Sequence, residues 1–171
     1  MALTKTPVCD FGKKAEDFKL KSINNEVVTL NDIKGEKATL IMFICNHCPY
    51  VKAVIKDIVH DADKLKNLNI NTVAVMSNDT KNYPDDSFEN MIKFSKINKF
   101  NFPYLFDETQ EIAKKYGAVC TPDFFGYNGN LELQYRGRIR ELKDLKPVST
   151  GESDLFNAVS YTHLTLPTTL S

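Results

Sequence analysis

The feature that most constrains this chain is an unbroken apolar run, A-T-L-I-M-F-I over residues 38–44, that leads straight into Cys45-Asn46-His47-Cys48-Pro49. A half-exposed strand alternates apolar and polar residues. A run without alternation marks a central strand buried on both faces. Beyond it, Val51, Val54, Ile55, Ile58, Val59, Ala62, Leu65 and Leu68 recur at helical spacing, which predicts an amphipathic helix over 48–67. Pro49 fits the first turn of that helix, where a missing N–H costs nothing. His60 falls between the apolar positions and is expected to face solvent. Buried strand, C-x-x-C and long helix in immediate succession point to an α/β domain with a sheet covered on both faces.

The rest of the chain fills in that frame. Residues 17–23 and 26–30 read as two strands around Asn24-Asn25, a hairpin preceding the main fold. Residues 70–76 form a second buried strand. Asp86-Ser87-Phe88-Glu89 has capping-box spacing and opens a helix to about residue 98. Residues 102–106 are extended, and 109–116 are a helix ended by Gly117. Strands at 123–127 and 131–139 flank Asn128-Gly129, a strong hairpin signal. A last helix begins at residue 152, and the helical pattern breaks after Ala158. No repeat or low-complexity segment appears within residues 1–158.

At 171 residues, this is a single domain able to bury a core without disulfide staples. Twenty-two basic residues balance 22 acidic ones, so no broad field draws the chain to nucleic acid or an anionic membrane. No run of about 18 apolar residues is present, and no signal-peptide-like core precedes residue 16. The expected compartment is the cytoplasm, where cysteines stay reduced unless they have a redox task. Four cysteines, Cys9, Cys45, Cys48 and Cys120, are too few for a disulfide scaffold. A cytosolic C-x-x-C within βαβ patterning reads first as a redox motif. Read as half of a zinc site, it needs two more closely spaced ligands, and Cys9, His60 and Cys120 lie scattered, so no metal is expected. Pro49 stands where a haem-attachment motif needs His. No Gly-rich phosphate loop is present, and no cofactor is expected.

A strand entering C-x-x-C at a helix start, followed much later by Thr121-Pro122 before a hairpin, resembles the thioredoxin superfamily. F-I-C-N-H-C-P-Y-V-K-A-V (43–54) is similar to bacterial redoxin-type thioredoxin proteins, often labelled alkyl hydroperoxide reductase/thiol-specific antioxidant domain proteins. A-E-D-F-K-L (15–20), F-P-Y-L-F-D-E-T-Q (102–110), Y-G-A-V-C-T-P-D-F-F (116–125) and Y-R-G-R (135–138) extend the match to about residues 8–158. Glu16 stands where such families usually carry Pro, and Ile44 where thioredoxin has Trp. The resemblance implies a thioredoxin-like α/β fold, a mixed central sheet flanked by helices, with the N-terminal hairpin as an extension. Residues 159–171 depart from the family. V-S-Y-T-H-L-T-L-P-T resembles a translated transposon-end adapter, so residues 1–158 are expected to form the domain and 159–171 a non-native tail in which His163 has no function.

The implied chemistry is thiol–disulfide exchange. Cys45, expected at the helix N-terminus, attacks as a thiolate stabilised by free N–H groups and the helix dipole. Cys48, one turn on, resolves the mixed disulfide. His47 is expected to lower the thiol pKa further, as strongly oxidising superfamily members also carry His there. By resemblance, Thr121-Pro122 is the cis-proline loop facing the pair, and Asn46, Pro49, Thr121 and Pro122 contact substrate. Cys120 is either a third redox cysteine or a small core residue, and the role of Cys9 stays undecided. Arg136, Arg138 and Arg140 share one strand face, read as solvated. Asp61, Asp63, Asp85 and Asp86 read as surface or capping groups, and no proton acceptor for Cys48 is evident. Partners are protein or small-molecule disulfides, hydroperoxides and a dithiol reductant, with no nucleic acid and no membrane. Two rivals remain. One is a peroxiredoxin-like peroxidase with Cys48 peroxidatic and Cys45 resolving. The other is a non-catalytic thioredoxin-like binding module.

Overall fold

The structure is a computed structural model that describes residues 9–161 and the backbone of residues 168–170. In chain order it contains β1 (Lys19–Ser22), β2 (Val27–Thr29), α1 (Leu30–Ile33), β3 (Ala38–Phe43), α2 (Pro49–Lys66), β4 (Ile70–Met76), a 3-10 turn (Pro84–Asp86) and α3 (Phe88–Ile97). Then follow β5 (Tyr104–Phe106), α4 (Glu111–Tyr116), β6 (Asp123–Asn128), β7 (Leu133–Gly137), the short pair β8 (Leu142–Lys143) and β9 (Lys146–Pro147), α5 (Asp154–Ser160) and β10 (Thr168–Leu170).

Eight strands form one mixed sheet in the order β10-β7-β6-β3-β4-β5-β1-β2. β3 sits at its centre, parallel to β4 and antiparallel to β6, and all six of its residues are buried. Its apolar run serves two cores. Leu40 and Met42 point into the one covered by α2, α3 and α5. Ile41 and Phe43 point into the other, under α1 and α4. α2 buries Val51, Val54, Ile55, Ile58, Ala62 and Leu65 along one stripe, with each Val, Ile and Leu side chain contributing about 1.5–3 kcal/mol. A mixed sheet covered by helices on both faces is the thioredoxin-like architecture the sequence implied.

The N-terminal hairpin extends the main sheet, with β1 paired antiparallel to β5 and β2 forming the edge beyond it. Two expectations need correction. α5 does not break after Ala158 but runs to Ser160, because Val159 is fully buried. Val159 sits so close to Gly126 that a Cβ added there would lie 3.1 Å from its Cγ2 and 3.1 Å from Tyr135 Cβ. Some of the charged groups are less solvated than expected. Arg136 is buried and pairs with Asp123 at 2.9 Å, and half-buried Arg140 pairs with Asp57 at 3.1 Å, while Arg138 is exposed as expected and pairs with Asp154 at 3.0 Å. Asp61 is buried, accepting a hydrogen bond from Ser153, which caps α5. His60, Asp63 and Asp85 are exposed as expected. Of the expected tail, residues 162–167, including His163, and residue 171 lie outside the described residues, while β10 runs parallel to β7.

Candidate active site

β3 delivers the chain to the C-x-x-C at the carboxyl end of the sheet centre, where Ile44 N–H still donates to Val75 O at 3.0 Å. α2 then begins at Pro49 with Cys48 as its N-cap residue. Here the structure differs from the sequence reading. Cys48, not Cys45, occupies the helix N-terminus, because Pro49 starts the helix and Cys45 still belongs to the turn leaving β3. Both side chains are thiols and both are buried, at 1% and 2% exposure. The Cys45 thiol hydrogen-bonds to Cys48 sulfur. That bond, with the backbone N–H groups of Val51 and Tyr50, holds Cys48 below the ordinary thiol value. Cys45 moves the other way, pushed up by the same shared proton, by burial and by the Asp86 carboxylate. Deprotonation of the reduced pair is therefore favoured at Cys48 over Cys45.

Both sulfurs face the Thr121-Pro122 loop, whose peptide bond is cis as the resemblance implied. Cys45 Sγ lies 3.4 Å from Thr121 Oγ1, and Cys48 Sγ donates to Thr121 O at 3.5 Å when protonated. An open cleft of about 530 Å³ runs past the pair, lined by Cys45, His47, Cys48, Tyr83, Cys120 and Thr121 among others. Cys120 is exposed in this cleft rather than packed in a core, and burial of its sulfur followed by the Asp123 charge pushes its thiol up. Cys9 is half-buried and lines no part of it.

The C-x-x-C turn is held from behind by groups that the sequence did not single out. Asp86 is fully buried. Its Oδ1 accepts from Asn46 N–H at 2.8 Å and its Oδ2 from Asn78 Nδ2 at 2.8 Å. The capping role read for Asp86 belongs instead to Ser87, whose Oγ accepts from Asn90 N–H, which frees the carboxylate to turn inward. Asn46, expected to touch substrate, is committed to this framework. Its Nδ2 donates to Asp85 O at 3.1 Å, and its Oδ1 accepts from Tyr104 OH at 2.8 Å. His47 stacks on Tyr83 with ring centroids 5.3 Å apart and planes 9° from parallel. Its Nδ1 lies 2.6 Å from Asp86 Oδ2, within ion-pair range but not aligned as a hydrogen bond. Cys45, His47 and Asp86 bring one donor atom each to within 4.8 Å of one another, a set able to hold a metal ion. Tyr83 and Tyr104 carry no local motif, and the capping-box spacing at Asp86 points to α3 rather than to this turn. Asp86 reaches the turn from 40 residues downstream, and only its fully buried carboxylate reveals it.

The AhpC/TSA family matches this chain over residues 11–142. The "Sporulation thiol-disulfide oxidoreductase A" of Bacillus subtilis (strain 168) is 27% identical over 122 residues, covering 68% of this chain and 67% of that protein. Among solved structures, an uncharacterized conserved protein from Geobacillus kaustophilus superposes with a TM-score of 0.88 at 39% identity, covering 94% of this chain and 86% of that one. A hypothetical protein from Sinorhizobium meliloti 1021 superposes with a TM-score of 0.84 at 30% identity, covering 95% and 92%.

Proposed function

The chain belongs to the AhpC/TSA family, and we propose that within it this protein is a thiol–disulfide oxidoreductase in which Cys45 forms the mixed disulfide and Cys48 resolves it. The observation that carries this reading is the pair of sulfurs facing the Thr121-Pro122 loop across an open cleft. The similarity to a thiol-disulfide oxidoreductase from Bacillus subtilis supports the same activity. In the oxidised enzyme a substrate thiolate attacks Cys45 Sγ, the Cys45–Cys48 bond breaks, and Cys48 leaves as a thiolate. A stabilised thiolate is the better leaving group, and the backbone N–H groups of Val51 and Tyr50, which remain when Cys45 is bonded to substrate, favour Cys48 in that role. The second substrate thiol then displaces Cys45, giving substrate disulfide and enzyme dithiol. Run in reverse, Cys45 passes its shared proton to Cys48 and attacks a substrate disulfide, releasing one substrate thiolate; Cys48 then loses that proton to the released thiolate and attacks Cys45 Sγ, closing the ring and releasing the second substrate thiolate. Protein or small-molecule disulfides and a dithiol partner are the substrates on either side of this exchange. Thr121 and Pro49 border the reacting sulfurs, and Asn46 acts by positioning the turn.

A second reading has one observation in its favour. A stabilised thiolate at a helix N-cap followed by Pro, as at Cys48-Pro49, also suits a peroxidatic cysteine, with Cys45 resolving. Two variants separate the readings. Cys48→Ser incubated with a protein disulfide should accumulate a mixed disulfide on Cys45, seen by peptide mass mapping. Cys45→Ser should form sulfenic acid on Cys48 only slowly at micromolar hydrogen peroxide. Rapid sulfenylation with no trapped mixed disulfide would establish the peroxidase reading in its place. If neither forms, the cleft is a binding groove without turnover.

A further inference from the structure

We propose that the reduced site also binds a thiophilic divalent cation, of which zinc is the type, through Cys45, His47 and Asp86. This goes beyond disulfide exchange, and binding requires no turnover. The three donor atoms lie within 4.8 Å of one another, so one ion reaches all of them. Thiolate, imidazole and carboxylate together are a zinc-type donor set.

Each ligand is held by something other than a metal. Cys45 is fixed where the chain leaves β3. The Asp86 carboxylate is oriented by Asn46 N–H on one oxygen and the Asn78 amide on the other, at 2.8 Å each. A carboxylate oxygen has two lone pairs, so each keeps one for an ion. Such outer hydrogen bonds preset ligands in metal sites generally. The His47 ring is stacked on Tyr83, and its buried Nδ1 lies 2.6 Å from Asp86 Oδ2 without an aligned hydrogen bond. Nδ1 is thus a buried polar atom in direct contact with a carboxylate oxygen, without an aligned hydrogen bond to satisfy it. Two such ligands on a tetrahedral ion stand roughly 3.3 Å apart, so a small ring rotation admits it.

The charge also balances. A Cys45 thiolate and the Asp86 carboxylate together neutralise a divalent cation, with His47 as the neutral ligand. On binding, Cys45 passes the proton it shares with Cys48 to that sulfur, so the pair still carries a single negative charge. A fourth position remains for water. Formation of the Cys45–Cys48 disulfide removes the thiolate ligand, so the ion binds only the reduced protein and blocks Cys45 while bound.

The test uses the full chain, reduced and oxygen-free, with Co²⁺ as a spectroscopic probe and Zn²⁺ in competition with a chelating indicator. The expected result is a 1:1 cobalt complex with a thiolate charge-transfer band and tetrahedral visible bands. Zn²⁺ should displace the probe, and the disulfide form should give no spectrum. His47→Ala and Asp86→Asn should each weaken zinc binding at least tenfold, while His60→Ala, exposed on α2, should leave it unchanged. Because Asp86 also supports the turn, His47→Ala is the deciding variant. An affinity unchanged in His47→Ala, or no cobalt spectrum in the reduced protein, overturns the proposal. Disulfide exchange assayed in excess chelator tests the proposed function separately.

Discussion

Removing the Asp86 carboxylate should destabilise the whole domain, and by an amount the contacts allow to be estimated. In Asp86→Ala the Asn46 N–H loses its acceptor inside the protein, where no strand or helix bond replaces it. A buried donor left without a partner costs about 1–3 kcal/mol. The Asn78 amide also loses its acceptor but is half-buried and can turn toward water, which adds about 0.5–1.5 kcal/mol. The total is about 1.5–4.5 kcal/mol. With a urea slope near 2 kcal/mol/M, the unfolding midpoint of the reduced protein should fall by about 1–2 M at unchanged slope. Asp85→Ala is the matched control. Asp85 is exposed and contributes only its backbone carbonyl to Asn46, which alanine retains. Its stability should stay within about 0.5 kcal/mol of the parent. If Asp86→Ala behaves like Asp85→Ala, the carboxylate is not the support of the C-x-x-C turn and the argument for it fails.

Two further outcomes follow from the titrating groups. Iodoacetamide alkylation of the reduced protein, mapped by cysteine, should show Cys48 still reactive as pH falls below the free-thiol value of about 8.5, with the Cys45 midpoint above that value; the opposite order would mean that the proton shared between the two sulfurs, helped by the Val51 and Tyr50 N–H groups, does not favour a Cys48 thiolate. Asp61 has its folded pKa raised by burial, so the stability this group contributes is fully present below 3.8 and lost as pH rises through the raised value. Asp61→Asn mimics the protonated form and keeps an acceptor for Ser153, so it should be more stable than the parent at pH 7, by a margin that shrinks as pH falls toward 4 in urea unfolding. A margin constant with pH would show that Asp61 titrates normally in the fold.

Much of the architecture was written in local pattern. The apolar run over 38–44 could only be a strand covered on both faces, and it occupies the sheet centre with alternate residues in two cores. The stripe from Val51 to Leu65 specified α2, and Pro49 specified where it starts. The motif pairs Cys45/Cys48 and Thr121/Pro122 were readable as motifs, and the fold brings them face to face. What the sequence could not supply was which charges go inside. Asp85 and Asp86 are neighbours of identical chemistry, yet one is exposed and the other fully buried. A capping-box spacing describes the helix they precede and says nothing of the turn 40 residues upstream that needs an acceptor. The same holds for Arg136, which alternates with Arg138 and Arg140 as a solvated stripe would but finds Asp123 beneath the sheet surface. Nor could spacing alone decide which cysteine faces the helix N–H groups, since that depends on the angle at which the chain leaves β3. Periodicity encodes which face of an element is apolar. Partners for buried polar groups come from distant segments, and only the packed tertiary structure brings them within hydrogen-bonding reach.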